Sequence, residues 1–142
     1  MIYCDTSLIV AAITPERFSA EAQRWFDLHV DLALARTGWT GVETASALAR
    51  KTRSGMVSSS ERVAAELRWR SLAETMRLVE VRSTDFERAA ALVDAGPRGL
   101  RAGDALQLAI ALGNRFSLAT LDRDLADAAQ AVGVEVALRP PA

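Results

Sequence analysis

The chain has 142 residues, half of them hydrophobic and a quarter charged, enough for one globular domain with a real core. A net charge of −1 excludes a general polyanion binder, so nucleic-acid contact would need a local basic patch. The lone cysteine, Cys4, excludes an internal disulfide, no apolar run nears the ~20 residues of a membrane helix, and no basic stretch precedes the first apolar run as in a secretory leader, so a cytoplasmic protein without membrane association is expected.

Met1-Ile2-Tyr3-Cys4 runs into Asp5 and the hydroxyls Thr6 and Ser7, and then into the apolar residues 8–13. This reads as a strand buried on both faces followed by a helix, with the acid at the junction. Thr14-Pro15 predicts the start of a second helix, threonine capping and proline in the first helical position, with Phe18, Ala22, Trp25, Phe26 and His29 facing the core. Residues 32–35 predict a second strand ending at Arg36-Thr37. Residues 39–53 predict a third helix with Val42, Ala45, Leu48 and Ala49 on one side, ending in Arg50, Lys51, Arg53 and Gly55.

After a serine hinge at 58–60, Ala65, Trp69, Leu72 and Met76 form the stripe of a fourth helix, read as core or an oligomer face. Residues 78–81 predict a third strand. Thr84 and Glu87 have capping-box spacing and open a helix carrying Phe86, Ala90 and Val93, which Gly96-Pro97-Arg98-Gly99 breaks. Gly103-Asp104 opens a strongly apolar helix closed by Gly113-Asn114. Residues 116–119 predict a fourth strand ending at Thr120-Leu121-Asp122, and a helix at 123–131, a strand at 134–136 and a loose tail follow. The alternation predicts a single α/β domain over residues 1–142, with a mostly parallel sheet of about four to five short strands covered by helices.

In such a sheet the helix N-termini lie at the carboxyl edge, where sites are built. Asp5 ends the first strand, Glu43 lies in the first turn of the third helix, Asp104 opens the helix before the fourth strand, and Asp122 follows that strand. Topology places all four at one edge. Converging carboxylates repel one another unless protonated or neutralised, and an all-oxygen donor set favours Mg²⁺ or Mn²⁺. Each acid taken alone suits a cap equally well: Thr40 and Glu43 have capping-box spacing, and Asp5, Asp104 and Asp122 stand at N-cap positions.

The segments Tyr3-Cys4-Asp5-Thr6-Ser7, the lone Glu43, Gly103-Asp104-Ala105-Leu106-Gln107-Leu108-Ala109 and Leu118-Ala119-Thr120-Leu121-Asp122-Arg123-Asp124-Leu125 together resemble the ordered acidic motifs of PIN domains. Length and arrangement are similar to VapC-type toxins of bacterial toxin–antitoxin pairs. The resemblance implies a PIN-like three-layer sandwich, a Mg²⁺- or Mn²⁺-dependent ribonuclease, a homodimer, and an antitoxin partner lying across the acidic cleft. Carried over by position, Asp5, Glu43, Asp104 and Asp122 match the catalytic quartet. Asp5, Asp104 and Asp122 would hold metal, while Glu43 orients the attacking water or completes a second site. Ser7 and Thr120 match supporting hydroxyls, Asp124 a more variable acid, and Gln107 departs from the histidine of many relatives.

For RNA phosphates, Arg98 and Arg101 precede Asp104, and Arg50 and Lys51 stand at a helix end. Trp69 and Met76 offer an apolar surface for an antitoxin helix. His29, the one histidine, reads as a helix-end residue, which leaves a serine or cysteine triad without a base. Cys4 reads as a small core residue, and Trp39 as core rather than a base-stacking ring. A haloacid-dehalogenase-like phosphatase is disfavoured by Ser7 at its second acidic position. A receiver domain is disfavoured because Lys51, the only lysine, is misplaced. The alternative from another class is a catalytically silent PIN-like binding module.

Overall fold

Tyr3 and Cys4, adjacent on the first strand, point into different cores, because successive side chains of a strand face opposite sides of a sheet. The computed structural model describes residues 1–95 and 99–142. Its elements are β1 (Ile2–Cys4), α1 (Thr6–Ile13), α2 (Ser19–Leu28), β2 (Leu34–Thr37), α3 (Gly38–Arg53) and α4 (Ser59–Glu74). Then come β3 (Arg77–Val79), α5 (Ser83–Ala95), α6 (Ala102–Asn114), β4 (Ser117–Ala119), α7 (Arg123–Ala131) and β5 (Val136–Leu138). The strands form one parallel five-stranded sheet in the order β3-β2-β1-β4-β5.

One core joins Tyr3 to Leu108, Ile110, Leu118 and Leu125, under α6 and α7. The other joins Cys4 to Leu8, Ile9, Trp25, Phe26 and Met76, under α1, α2 and α4. The result is a three-layer α/β sandwich. α1 is buried from Leu8 to Ile13, and α6 from Ala105 to Ala111. Both are therefore central helices, apolar all round where they are covered.

Several sequence expectations shift. Thr14 does not start α2. It ends α1, its N–H and its hydroxyl both donating to the Val10 carbonyl. Proline disfavours helical backbone in the residue before it, and Thr14 is extended at φ −122°, ψ 153°. α2 begins at Ser19, so Phe18 precedes the helix instead of lying on its core face. β2 starts at Leu34, leaving Leu32 half exposed. β3 and β5 are each displaced by a residue or two.

The buried face of α3 is Thr40, Thr44, Ala47 and Leu48, and Val42 is exposed instead of buried. Its capping box uses Thr37 and Thr40, which frees Glu43, now in the second turn. Hydroxyls can line this face because they are satisfied: Tyr3 bonds Thr37 and Thr40, and Thr44 donates to the Thr40 carbonyl. On α5, Asp85 and Ala89 are buried, whereas Phe86 and Val93 face solvent. α6 is capped by Arg101, so Asp104 lies inside its first turn. Met76 belongs to the core at 5% exposed and is closed to a partner, whereas Trp69 is partly buried against that core. Cys4 is buried, and His29 caps the end of α2, stacked on Trp25.

Candidate active site

The chain leaves β1 toward β2 and β3 on one side, then returns to place β4 on the other. A crevice opens at the carboxyl ends of β1 and β4, the switch point of such a sheet. Asp5 stands there, 4% exposed, at the N-cap of α1. Its Oδ2 accepts from the Ser7 N–H (3.1 Å), the Ser7 hydroxyl (2.5 Å) and the Thr120 hydroxyl (2.8 Å). Both hydroxyl oxygens in turn accept backbone N–H groups, Ser7 from Leu121 (2.9 Å) and Thr120 from Asp122 (3.0 Å). These donors direct the hydroxyl protons at Asp5 and stitch β1–α1 to β4–α7. Burial pushes the Asp5 carboxyl pKa up, and the bonds from Ser7 and Thr120 oppose that.

Glu43 enters from α3. Its Oε2 accepts from the Thr6 hydroxyl (2.8 Å) and from Gln107 Nε2, which also donates to Thr6 Oγ1 (3.0 Å). Burial raises the Glu43 pKa, and these two donors counter it. The other oxygen, Oε1, lies against the first turn of α6. A Cβ on Gly103 would meet it at 2.6 Å, so glycine is what lets the carboxylate pass. Trp39 packs beside the same glycine.

Asp104 is pushed up to about 6, first by burial and then by the carboxylates of Asp122, Asp5 and Glu43, with Arg101 opposing. Asp122 caps α7, its Oδ1 accepting the Leu125 N–H at 3.0 Å. Capping thus accounts for part of what Asp5 and Asp122 do and for none of what Glu43 does. All four acids line one open cleft of about 650 Å³, together with Ser7, Arg101, Arg50 and Lys51. Lys51 Nζ is 2.8 Å from Glu16, so its charge is matched. Thr120 lies beneath the cleft through its bond to Asp5, Asp124 is exposed on α7 outside the lining, and Arg98 lies outside the described residues.

Among the described residues no three acidic, histidine or cysteine side chains stand close enough to hold an ion as placed. The hydrogen bonds explain the spacing: Asp122 turns to its own helix, and Glu43 to Thr6 and Gln107. The donor chemistry nevertheless suits a hard divalent cation, being all oxygen and carrying more negative charge than its arginines offset. Thr6, Gly103, Gln107, Arg17 and Phe18 escaped the sequence reading as site residues. Thr6, Gly103 and Gln107 stand in the segments that carry the family resemblance, Gln107 as a departure from histidine, and Phe18 reads as a core-facing residue.

A family model of the PIN domain matches residues 2–131. No curated protein matches the chain by sequence. Among solved structures it is similar to Mycobacterium tuberculosis VapC20, described as a sarcin–ricin loop cleaving toxin, at 20% identity over 94% of this chain and 96% of that one (TM-score 0.72). FitAcB from Neisseria gonorrhoeae aligns at 18% identity over 96% of both chains (TM-score 0.71). A toxin–antitoxin complex from Klebsiella pneumoniae aligns at 20% identity over 89% and 91% (TM-score 0.60). At these identities the structural likeness is one of fold.

Proposed function

Given that the chain belongs to the PIN-domain family, we propose that it is a Mg²⁺- or Mn²⁺-dependent endoribonuclease and the toxin of a toxin–antitoxin pair. The observation that carries this reading is the gathering of four carboxylates in one cleft, with Asp104 raised to about 6 by burial and then by its acidic neighbours. Perturbed acids crowded in a cleft mark functional sites. Asp5, Asp104 and Asp122 would hold the metal. A bound divalent ion neutralises phosphate charge, makes hydroxide available near neutral pH and stabilises the leaving oxygen.

The chain's own residues do the rest. Ser7 and Thr120 fix the Asp5 carboxylate through their hydroxyl protons. Glu43, aligned by Thr6 and Gln107, orients the attacking water and accepts its proton. Arg101 offsets phosphate charge beside Asp104. VapC20's described cleavage of the sarcin–ricin loop supports RNA as the substrate class, and the Klebsiella complex supports an antitoxin partner. Exposed Phe86 and Val93, seven residues apart on α5, supply apolar surface for the homodimer of this reading. A cytoplasmic setting belongs to the same reading; no helix among the described residues is long and apolar enough to cross a membrane.

The test is cleavage of structured RNA with Mn²⁺, with EDTA, and by Asp104→Asn. Cleavage lost in the last two while the variant still melts cooperatively is the expected result. Wild-type protein that binds RNA and Mn²⁺ but never cuts would move the chain to a silent binding module.

A further inference from the structure

The cleft has a second end with the opposite charge. α1 and α3 follow neighbouring parallel strands, so both start at the acidic edge and run away from it together. From Glu43 to Arg50 along α3 is two turns, about 10 Å. There the lining changes to Arg17, Phe18 and Arg50. Phe18 is half-buried yet belongs to neither core cluster, and the core face of α2 is made by Ala22, Trp25 and Phe26 without it. The Arg17 guanidinium lies 4.9 Å from the centroid of the Phe18 ring.

The turn bearing this pair is held rigidly. The Glu16 N–H donates to Ser19 Oγ (2.8 Å), and the Ser19 hydroxyl donates to the Thr14 carbonyl (2.6 Å). Glu16 also bridges to Lys51 (2.8 Å), tying the turn to α3 at this end of the cleft. Arg50 has no ion-pair partner among the described residues. An aromatic ring on a fixed turn, a guanidinium on its face and a free arginine beside it are the parts of a single-strand nucleic-acid subsite.

We propose that Arg17 and Phe18 form a stacking subsite for one unpaired base of single-stranded RNA, with Arg50 on an adjoining phosphate. The cleft then grips the strand within about two helical turns of the acids that act on it. The proposal rests on the nuclease reading for its substrate class. It also explains how a chain of net charge −1 would hold a polyanion: Arg17 and Arg50 stand at one end of the cleft, about two helical turns from Asp5, Glu43, Asp104 and Asp122 at the other.

Stacking reads a base's π face, whereas Arg50 reads only phosphate, so the two contributions separate with the right probes. Labelled oligoadenylate, oligouridylate and an abasic ribose-phosphate strand are titrated in EDTA by fluorescence anisotropy. Phe18→Ala should weaken oligoadenylate about tenfold, oligouridylate less, and leave the abasic strand unchanged. Phe18→Trp should restore oligoadenylate, and Phe18→Leu, which keeps bulk without a ring, should behave like Phe18→Ala even if the alanine variant melts early. Arg50→Gln should weaken all three strands alike and lower the salt slope by about one. A Phe18→Ala protein that binds every strand as the wild type does, or loses the abasic strand equally, overturns the subsite and leaves the nuclease reading standing if RNA is still cut. Wild-type protein that binds no single-stranded RNA overturns the subsite, and wild-type protein that also fails to cut structured RNA with Mn²⁺ overturns both.

Discussion

Two carboxylates in this fold have opposite surroundings. Asp85, on α5, is fully buried and lies 3.1–3.3 Å from the guanidiniums of Arg82 and Arg88, while its other oxygen accepts the Arg82 N–H at 2.9 Å. Gly113 of α6 leaves the room: a Cβ there would meet Arg88 at 2.5 Å and Asp85 at 2.9 Å. Asp104 is half-buried and faces three other acids, with Arg101, among the described residues, offsetting them. Where an acid serves stability, this chain pairs it within the fold. Where acids are left crowded and unpaired, the proposed function assigns their charge to a cation from outside.

The comparison breaks first on activity. Asp104→Asn should lower RNA cleavage about a thousandfold, a loss of the metal's several kcal/mol, and leave the melting temperature intact or higher. If cleavage in single-turnover assays is unchanged, Asp104 belongs with Asp85 as a structural acid. Asp85→Ala should do the reverse. It strands two half-exposed arginines and the Arg82 N–H, costing about 2 kcal/mol in chemical denaturation, with cleavage per folded molecule retained.

Gly103→Ala sharpens the line between packing and chemistry. Its Cβ displaces the flexible end of Glu43, not backbone, so cleavage should fall about tenfold with little change in melting. A large drop in stability at full activity would show the close approach to be packing alone. The smallest effect is on pH. The Asp104 pKa is raised from 3.8 to about 6 in the folded chain, so the folded state holds that proton more tightly. The resulting stabilisation is complete below 3.8 and lost as pH rises through about 6. Solvent screening of a half-exposed group reduces it to about 1 kcal/mol. Metal-free protein should therefore melt lower at pH 7.5 than at pH 5, Asp104→Asn should flatten that difference, and Mn²⁺ should recover it at pH 7.5. A pH profile identical in wild type and Asp104→Asn would show that the acids do not feel one another.

The positions of Asp5, Glu43, Asp104 and Asp122 at one edge were legible because strand and helix order follow from hydrophobic patterning, and order fixes the edge. Their partners were not. Gln107 in α6 reads as one polar residue in an apolar helix, and only its hydrogen bonds to Thr6 and Glu43 reveal that it serves that acid. Phe18 was placed on a helix because its spacing to Ala22 fits, whereas the extended Thr14 before Pro15 moved the helix start beyond it. Asp85 was hidden by Thr84 and Glu87, whose spacing imitates a capping box that the chain does not use. Asp85 accepts the Arg82 N–H instead.

The stitch between Asp5 and Thr120 also fixes when the cleft can exist. Its two halves are 115 residues apart, and the central strand β1 finds its β4 neighbour only through that same long closure. Contacts of such separation form late, after local helices and the nearer β1–β2 pairing. A growing chain on the ribosome carries Asp5 and Glu43 long before it carries Thr120, so it passes through synthesis without an assembled acidic cleft. Whatever chemistry the cleft performs, it begins only after β4 and Thr120 have been made and have closed on β1.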